Sequence, residues 1–522
     1  RTEGQPVLAG HPHLTRITLS RLDREAARAI VTGLAADRPL DDGVCSAILA
    51  RAEGVPLFLE EVTRAMLDGD ATAETIPGSL HDWLMARLDR SPVAHRIAQV
   101  AACIGREFGH DLLAAVADVP EPELTRALNE LIQAELVFRR GQAPDAIYSF
   151  KHALLRDAAH GSLLRSRRRA VHARIAQVLV EQFPGLAQAT PEVIARHWAE
   201  SGQMAEAAAW HQRAGEQALV RSATREAMAQ LHAGLEALRS LPEGEERQRR
   251  ELELQAALGA ALFAAKGQAA GETAIAYKRA RELCRRLGES RRLVPVLFGL
   301  WASHNTRAEL TPAEAIAGEL LQLAKAQDDR LAQLLGLRAR GTTLLFLARL
   351  QEARAQLETL VELAGSDGPF GASLYPTDPR VTGRGFLAWI LLMLGHSDQA
   401  VPLVERALAE ARALGHQPTL AVVLQCRCTV AQFLDDHPAV ALHAEAMLGA
   451  CASQGFAFWS AMGEIFRGWA LARGGNVAAG TRHIQAGIAA HQATEAKLLS
   501  PHYLALLAEV QGCTPERFHV VS

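Results

Sequence analysis

The sequence predicts a mainly α-helical fold of several domains that ends in a long array of helical repeats. Its 522 residues are 49% hydrophobic and 22% charged, as is usual for globular proteins, and this length exceeds what one hydrophobic core can organise. Only 5% of the residues are aromatic, while alanine, leucine and arginine dominate. This composition favours helices over β-sheets. Weak self-similarity in the last two thirds of the chain indicates the repeats.

The composition also argues against several functions. A formal net charge of −3 provides no chain-wide positive field for nucleic acid. The closest pair of the seven cysteines, Cys426 and Cys428, lies in a predicted helix where side chains two apart do not share a face. The segment HPH at His11 to His13 has no further ligand spaced to complete a metal site. We therefore expect reduced, buried thiols and no metal site. Without a signal peptide or a bilayer-spanning apolar run, we expect a cytoplasmic location without membrane contact.

Residues 1–75 predict one short strand and three helices. The segment HLTRITLS has an alternating pattern with β-branched residues, which predicts a strand. Helices are expected for DREAARAIVTGLA, where Asp23 is a candidate cap, for DGVCSAILARAEG, and from about Leu57 to Leu67. The turn Gly54-Val55-Pro56 precedes the third helix. It forms a stiff corner, because proline fixes its own φ and has no N–H to donate.

Two adjacent glutamates in the third helix, Glu60 and Glu61, raise the question of an acid/base pair. Neighbouring residues on a helix point about 100° apart, so these two carboxylates cannot converge on one substrate atom. We interpret both as acidic residues near the start of a helix, where the helix dipole favours negative charge.

Residues 76–165 predict three helices followed by a β-hairpin and one more helix. The three helices are SPVAHRIAQVAACIG, HDLLAAVA and PEPELTRALNELIQAEL. Two short extended runs, LVFRR and AIYSFKH, flank the turn-like segment GQAPD. Three helices closed by a hairpin have the outline of a winged-helix domain, and the helix HALLRDAAHGSLL follows directly.

From residue 166 to residue 522, recurring small residues predict a tetratricopeptide-like α-solenoid. Each repeat has a tight turn, a small residue where two helices touch, and then a larger and a small residue on the same face. The matching sets are Gly202, Ala207, His211 and Ala214; Ala348, Ala353, Leu357 and Leu360; Gly395, Ala400, Val404 and Ala407; and Gly475, Gly480, Ile484 and Gly487. Residues 365–380 interrupt the pattern.

The order of these segments resembles the C-terminal part of STAND-type P-loop ATPases, relatives of the AAA proteins. Such modules occur in large bacterial signalling proteins behind a class III adenylate/guanylate cyclase domain or another effector. The resemblance extends over nearly the whole chain, through PLFLEEV, HALLRDAA, LLRSRRR, ARHWAESGQMAEAAAWHQRAGEQAL, GFLAWILLMLGHSDQA and RGWALARGG. It implies that residues 1–75 are the end of an ATPase core with a helical lid, 76–165 a winged helix, and 166–522 a C-terminally truncated repeat array.

The resemblance also implies a nucleotide site. In the family, the proline of a Gly-x-Pro-Leu element in the lid lies against the adenine nucleotide; EGVPLFLEEV matches this element, which assigns that role to Pro56, with Leu57 beside it. A histidine after the winged helix reaches the β-phosphate of ADP, and His152 has the corresponding place at a helix N-terminus, a favourable setting for phosphate. Here a Phe-Lys pair replaces the usual methionine before this histidine, and alanine replaces the aspartate after it. A helix-start histidine without a ligand is the alternative.

The sequence contains no recognisable machinery for phosphoryl transfer. It has no G-x-x-x-x-G-K-[ST] motif, indeed no Gly-Lys pair, and no apolar run that ends in paired aspartates. The metal-binding aspartates of a cyclase cannot be placed either. We therefore expect no catalytic residues, no enzyme activity and no tightly bound cofactor in this chain alone. Both ends look cut, so ATP/ADP binding, ATPase activity and any cyclase activity would belong to an intact protein with ATPase and effector domains upstream of Arg1.

Two functions remain open. In the first, the chain is the regulatory and interaction portion of a signalling ATPase: a protein or small-molecule ligand on the concave face of the array favours an open form, and exchange of ADP for ATP switches an effector such as a cyclase. In the second, the protein is a transcriptional regulator of the same superfamily that binds DNA. The basic run Arg165, Arg167, Arg168 and Arg169 invites the second reading. In the family, however, such a winged helix usually packs on the nucleotide module, and the run, with Arg174, bridges to the first repeat helix.

Overall fold

The computed structural model describes residues 21–36, 38–68, 79–88, 91–221, 223–365, 377–452 and 456–512. The chain divides into two compact units, Arg1–Pro184 and Gly185–Ser522. The fold is mainly α-helical, as the sequence predicts. The strand predicted for HLTRITLS and the histidines of HPH lie outside the described residues. Among the helices that the structure describes, none is long and apolar enough to cross a bilayer.

The first unit combines helices with one small sheet. Its elements are α1 (Arg24–Leu34), α2 (Asp42–Ala52), α3 (Pro56–Asp68), α4 (Leu80–Leu88), α5 (Pro92–Ile104), β1 (Glu107–Gly109), α6 (His110–Ala117), α7 (Glu121–Gln133), β2 (Val137–Arg140), β3 (Ile147–Phe150), α8 (Ala153–Gly161) and α9 (Arg165–Gln182). A short helix, α10 (Pro184–Ala189), lies at the division between the two units.

The first three helices depend on local caps and one close backbone contact. Asp23 caps α1 by accepting a hydrogen bond from the N–H of Ala26 at 2.8 Å. At the corner before α3, Gly54 has a φ of +75°, and a Cβ there would lie 2.2 Å from the carbonyl oxygen of Leu22. Only glycine fits this position. The third helix begins at Pro56, one residue earlier than predicted, where the missing N–H of proline costs nothing.

Helices α5, α6 and α7 are followed by a three-stranded antiparallel sheet of order β1-β3-β2. Tyr148 in the central strand pairs with Phe108 of β1 on one side and Arg139 of β2 on the other. The rings of Phe108 and Tyr148 stack with centroids 5.6 Å apart. The sequence pattern predicts β2 and β3 but not β1, because a three-residue strand is too short to show an alternating pattern.

Helix α9 belongs to the first unit. Its side chains Val171, Ile175 and Val178 are buried, and the helix contacts α5 and α6. Arg174 donates a hydrogen bond to the carbonyl oxygen of Ala115 at 3.4 Å. The sequence analysis assigns the residues from 166 onwards to the repeat array, whereas the compact first unit extends to Pro184.

The second unit is a continuous stack of antiparallel helices. They are α11 (Pro191–Ser201), α12 (Met204–Val220), α13 (Thr224–Arg239), α14 (Glu245–Lys266), α15 (Gly271–Leu287), α16 (Ser290–Thr306), α17 (Leu310–Gln327), α18 (Arg330–Phe346), α19 (Leu350–Ala364), α20 (Pro379–Met393), α21 (Ser397–Leu414), α22 (Gln417–Phe433), α23 (His437–Ala452), α24 (Ala457–Arg473), α25 (Val477–Ala493) and α26 (Ser500–Val510). Each helix packs on the next, and the even-numbered helices also contact one another in succession. This arrangement is a tetratricopeptide-like helical solenoid.

One type of turn recurs along the array with a period of 40 residues. Left-handed residues occur at Ala308, Ala348, Gly395, Asp435 and Gly475, that is, in steps of 40, 47, 40 and 40 residues. After each, the N–H of the next residue donates to a carbonyl oxygen five residues earlier in a Schellman pattern, as from Arg349 to the carbonyl oxygen of Leu344 at 2.9 Å. The 47-residue step, from Ala348 to Gly395, contains residues 365–380, the predicted interruption of the repeat pattern.

The small residues predicted at the helix contacts are buried. The buried members of the four predicted sets are Ala207, Ala214, Ala353, Leu357, Leu360, Ala400, Val404, Ala407, Gly480, Ile484 and Gly487. At Gly480 an added Cβ would lie 2.5 Å from the carbonyl oxygen of Gly468, so α24 and α25 are in direct backbone contact. The residues predicted at the tight turns, Gly202, Ala348, Gly395 and Gly475, are exposed. His211 is half-buried, and its Nδ1 lies 2.7 Å from the side-chain oxygen of Gln230.

The array curves until its late segment meets an earlier helix. The N–H groups of Lys497 and Leu498 both donate to the carbonyl oxygen of Thr306 at 3.0 Å. Arg307 and Glu495 add an ion pair with an N–O distance of 3.7 Å. These contacts join the residues after α25 to the end of α16, and the even-numbered helices from α14 to α24 surround a central cavity.

Acid is expected to destabilise the second unit through His491. This side chain is 1% exposed and lies between the rings of Phe458 and Tyr503. Burial lowers the pKa of His491 from 6.5 to about 4. Between pH 6.5 and pH 4 the imidazole is protonated in the unfolded chain but neutral in the folded one. The stability that depends on the neutral His491 is therefore fully present above pH 6.5 and is lost as the pH falls to 4. The loss amounts to at most about 3 kcal/mol.

The measurement is urea unfolding of the chain at several pH values between about 7.5 and 4.5. Substitution His491→Phe keeps an aromatic ring but removes the proton-binding group, so its free energy of unfolding should fall less steeply with acid than that of the wild type. The exposed His232 provides the control, and His232→Ala should keep the wild-type slope. Equal slopes for wild type and His491→Phe would contradict the assignment.

Candidate functional site

The three predicted nucleotide-contacting residues lie at the starts of two helices of the first unit, α3 and α8. Pro56 is exposed at the first position of α3, and Leu57 beside it is half-buried. His152 is the residue that precedes α8, with its side chain 27% exposed. Leu57 lies one turn before Glu61 and shares its face of α3, whereas Pro56 points about 140° away from that face. The contact between α3 and His152 runs through Glu61.

A buried ion-pair cluster joins these elements. We call Glu61, Glu135, Lys151 and His152 the Glu61 cluster. The Glu61 carboxylate lies 3.3 Å from Lys151 Nζ and 3.7 Å from His152 Nε2. Lys151 Nζ is also 2.8 Å from the carboxylate of Glu135, just after α7. The side chains of Glu61 and Lys151 are only 3% and 10% exposed, so each charge depends on its partner in the cluster.

The two adjacent glutamates diverge, as the helix geometry predicts. Glu60 pairs with Arg64, one turn further along α3, at 2.9 Å and remains partly exposed. The interpretation of Glu61 as a simple helix-start acid is wrong, because it is buried against Lys151, a residue 90 positions away in sequence. A lysine next to the predicted phosphate-binding histidine is the only sequence signal that could have pointed to it.

His152 has a buried ring nitrogen and lies directly before the first residue of α8. Its Nε2 atom is buried and has no hydrogen-bond partner among the residues that the structure describes. Its side chain forms no cap for α8, so the first N–H groups of that helix have no side-chain acceptor from this residue. Such groups suit an anion. In this arrangement, however, the negative charge of Glu61 faces the imidazole, so a phosphate would have to compete with that carboxylate.

The second candidate site is the central cavity of the array. Its free volume is about 60 Å³, which admits a group of a few heavy atoms such as a carboxylate. Polar side chains from several segments line it, among them Asn305 of α16, Thr342 of α18 and Gln425 of α22. Aromatic side chains form much of the remaining wall: Phe263, Phe298, Trp301, Phe346, Phe386, Phe458 and Trp459.

Arg338 brings a positive charge to this cavity without a carboxylate partner. Its guanidinium donates to the hydroxyls of Thr342 and, at 3.1 Å, of Thr382, and lies 4.2 Å from the ring centre of Phe386. Among the residues that the structure describes, no aspartate or glutamate forms an ion pair with it. Burial lowers the pKa of Arg338 to about 10. A buried charge without a counter-charge is costly, so an anionic group bound in the cavity would be stabilised by Arg338.

Other buried arginines of the array have carboxylate partners, unlike Arg338. Arg384 of α20 pairs with Glu410, and Arg427 of α22 pairs with Glu405 at 2.6 Å. Within the described part of the chain, the cavity residue Asn305 also has a buried side-chain oxygen without a hydrogen-bond partner. A ligand that offers both a negative charge and a donor would satisfy both groups.

Two other predicted features have clear positions. Arg165, Arg167 and Arg169 are exposed at the start of α9, so the basic run is accessible. Cys426 and Cys428 are fully buried thiols in α22, as predicted, and burial raises the pKa of Cys426 to about 12. These two thiols are therefore protonated and unreactive near neutral pH.

Comparison with known proteins shows remote similarity. No protein-family model matches the chain. An uncharacterized protein of Rhizobium meliloti (strain 1021) is 24% identical over 484 residues, which cover 88% of this chain and 46% of the relative. The chain therefore spans about half the length of the curated relative that it matches.

Solved structures with similar helical arrays are also remote in sequence. A signal transduction ATPase with numerous domains (STAND) from Pyrococcus horikoshii, with a tetratricopeptide repeat sensor, is 12% identical with a TM-score of 0.48; the match covers 97% of this chain and 72% of that protein. The apo form of RapI is 12% identical with a TM-score of 0.43, over 55% of this chain and 98% of its own. These values are too low to transfer a function.

The Glu61 cluster is expected to stabilise the first unit strongly. Glu61→Gln removes the charge that faces the buried Lys151, and we expect the free energy of unfolding to fall by about 2–4 kcal/mol. The matched control is Glu60→Gln on the same helix, which breaks a partly exposed pair with Arg64 and should cost less than about 1 kcal/mol. Urea unfolding followed by circular dichroism compares the two. Equal losses in both variants would show that the cluster has no special role.

Proposed function

We propose that the chain is the sensor and regulatory portion of a STAND-type signalling ATPase, whose helical array recognises an anionic group of a protein or peptide ligand. The observation that carries this proposal is Arg338, a buried cation without a carboxylate partner in a cavity of the array. Folding does not require such a charge, since a nonpolar side chain of similar length would avoid the cost of its desolvation.

The size of the cavity narrows the ligand class. A free volume of about 60 Å³ is far below the several hundred Å³ typical of a nucleotide or drug-sized pocket. An aspartate or glutamate side chain, or a chain terminus, fits this space. The ligand in this proposal is therefore a polypeptide that inserts a carboxylate next to Arg338 while the rest of it lies along the array.

For the first unit, we propose a helical lid followed by a winged helix. The order α5, β1, α6, α7, β2, β3 and the antiparallel sheet support the winged-helix interpretation. In this proposal Pro56, Leu57 and His152 contact ADP or ATP that is held by an ATPase core in the intact protein, and the output belongs to an effector such as a nucleotide cyclase. The DNA-binding alternative has no comparable observation beyond the exposed arginines of α9.

The Glu61 cluster supports a mechanism for the nucleotide response. His152 Nε2 lies 3.7 Å from the Glu61 carboxylate and has no hydrogen-bond partner in the described residues, so its present contact is weak. A β-phosphate that accepts a hydrogen bond from His152 would replace this contact. Lys151 keeps Glu61 paired when His152 leaves. His152 thus exchanges partners between a carboxylate and a phosphate at little cost to the cluster.

The array proposal predicts that Arg338 is needed for binding rather than for folding. Arg338→Met should leave the free energy of unfolding within about 1 kcal/mol of the wild type or raise it. Fluorescence anisotropy with a set of short acidic peptides, and with the same peptides carrying Asn and Gln instead of Asp and Glu, measures binding. We expect some acidic peptides to bind and to lose about 10–100-fold in affinity with Arg338→Met, since a hydrogen-bonded charge contributes about 1.5–3 kcal/mol.

The control for Arg338 is Arg354→Met on α19, which removes a partly exposed arginine paired with Glu358 and should not affect peptide binding. A loss of more than about 2 kcal/mol of stability in Arg338→Met would assign the arginine a folding role. Equal binding of the acidic and the neutral peptides would exclude recognition of a carboxylate.

The nucleotide proposal predicts opposite effects of two substitutions in the intact protein. His152→Ala removes the phosphate contact and should speed ADP release by about 10–100-fold, with a higher basal output. Glu61→Gln removes the competing carboxylate and should slow ADP release. Stopped-flow displacement of a fluorescent ADP analogue measures both rates. Unchanged rates in both variants would remove His152 from the site without affecting the array proposal.

A further inference from the structure

Three metal-ligating side chains converge in the first unit, although the sequence analysis expects no metal site. Cys103 lies near the end of α5, His160 in the last turn of α8, and His172 in α9. One potential ligand atom from each lies within 4.8 Å of the other two. Cys103 and His172 are buried, and His160 is partly exposed, which leaves an approach for an ion. We propose that these residues bind a zinc ion, independently of the nucleotide and array proposals.

The distances fit a shared ion. The Nε2 atoms of His160 and His172 are 3.5 Å apart, and the rings are inclined by 67°. Two imidazole nitrogens on one tetrahedral zinc, each about 2.0–2.1 Å from the metal, lie about 3.3–3.4 Å from each other. A direct N–H···N hydrogen bond at 3.5 Å would be long and weak. The observed spacing therefore needs a shift of only a few tenths of an ångström to hold the metal.

The donor set selects the kind of metal. One thiolate and two imidazoles form a borderline-soft set that suits zinc and its cobalt substitute and disfavours magnesium and calcium. Within the described ranges, no fourth histidine, cysteine or carboxylate joins the group. The fourth position is thus assigned to water or an external ligand. The Cys103 thiol must lose its proton to solvent on binding, so affinity should fall as the pH is lowered.

The fold holds the three ligands in place before a metal arrives. Helices α8 and α9 are separated by a short turn at residues 162–164, and Ser162 in this turn accepts a hydrogen bond from Gln99 of α5 at 2.9 Å. His95 of α5 lies 3.2 Å from the same hydroxyl. The turn is therefore tied to the helix that carries Cys103. A metal would connect three helices that already pack together.

The test uses the full chain, purified without a histidine tag and stripped with a chelator. Titration with Co²⁺ should show one equivalent with tetrahedral absorption bands and a thiolate-to-cobalt charge-transfer band, and Zn²⁺ should displace it. Cys103→Ala should abolish the charge-transfer band. His160→Ala should lower the affinity by more than the roughly 10–100-fold effect of losing an outer-shell partner.

Matched controls are Cys451→Ala, which removes a buried thiol of the second unit, and His232→Ala, which removes an exposed imidazole. Both should bind Co²⁺ as the wild type does. If Cys103→Ala fails to fold by circular dichroism, the partly exposed His160 provides the decisive variant. The proposal is overturned if the wild type binds no stoichiometric Co²⁺ or shows no thiolate band, or if His160→Ala binds as tightly as the wild type.

Discussion

The array depends on close contact between helices at small residues. Where Gly480 of α25 meets Gly468 of α24, no Cβ fits between the two backbones, so the helices approach more closely than large side chains would allow. In earlier hairpins the position of Gly480, five residues after the left-handed turn residue, is occupied by the buried residues Ala313, Ala353, Ala400 and Val440, so the hairpins stack through equivalent positions. The accumulated curvature brings the residues after α25 onto Thr306. The cavity around Arg338 is thus a consequence of small residues at distant helix contacts.

The cost of buried charge distinguishes the two candidate sites. In the Glu61 cluster each buried charge has a partner, so the site is stable as it stands and any ligand must exchange with an existing contact. In the array cavity Arg338 contacts hydroxyls and the aromatic faces of Phe386 and Trp301, and no carboxylate of the described residues pairs with it, so a carboxylate of a ligand would add a missing partner. The first arrangement suits a switch between two bound states. The second suits capture of a ligand from solution, since the site gains most when it is filled.

Local features could be predicted from the sequence, but pairings over long distances could not. The cap at Asp23, the corner before Pro56 and the small residues of the repeats each follow from neighbours within a few positions. Glu61 and Lys151 are 90 residues apart, and nothing near Glu61 in the sequence distinguishes it from the partly exposed Glu60. Arg338 likewise lies in a sequence that reads as an ordinary helix. Arg338 is distinguished by its neighbours on other helices, none of which pairs it with a carboxylate within the described residues. These neighbours are brought together only by the folded array.

Helix α8 links the nucleotide and metal proposals physically without making one depend on the other. His152 precedes its first residue and His160 lies in its last turn, about 12 Å away along the axis. A metal bound by His160 would fix the C-terminal end of this helix to α5 and α9. At the N-terminal end of the helix, His152 would contact either the Glu61 carboxylate or a phosphate. A rigid α8 would carry a displacement of His152 to the α5–α9 contact instead of absorbing it by local fraying. Metal occupancy would then alter the energy of the partner exchange at His152, even though no metal ligand contacts the nucleotide.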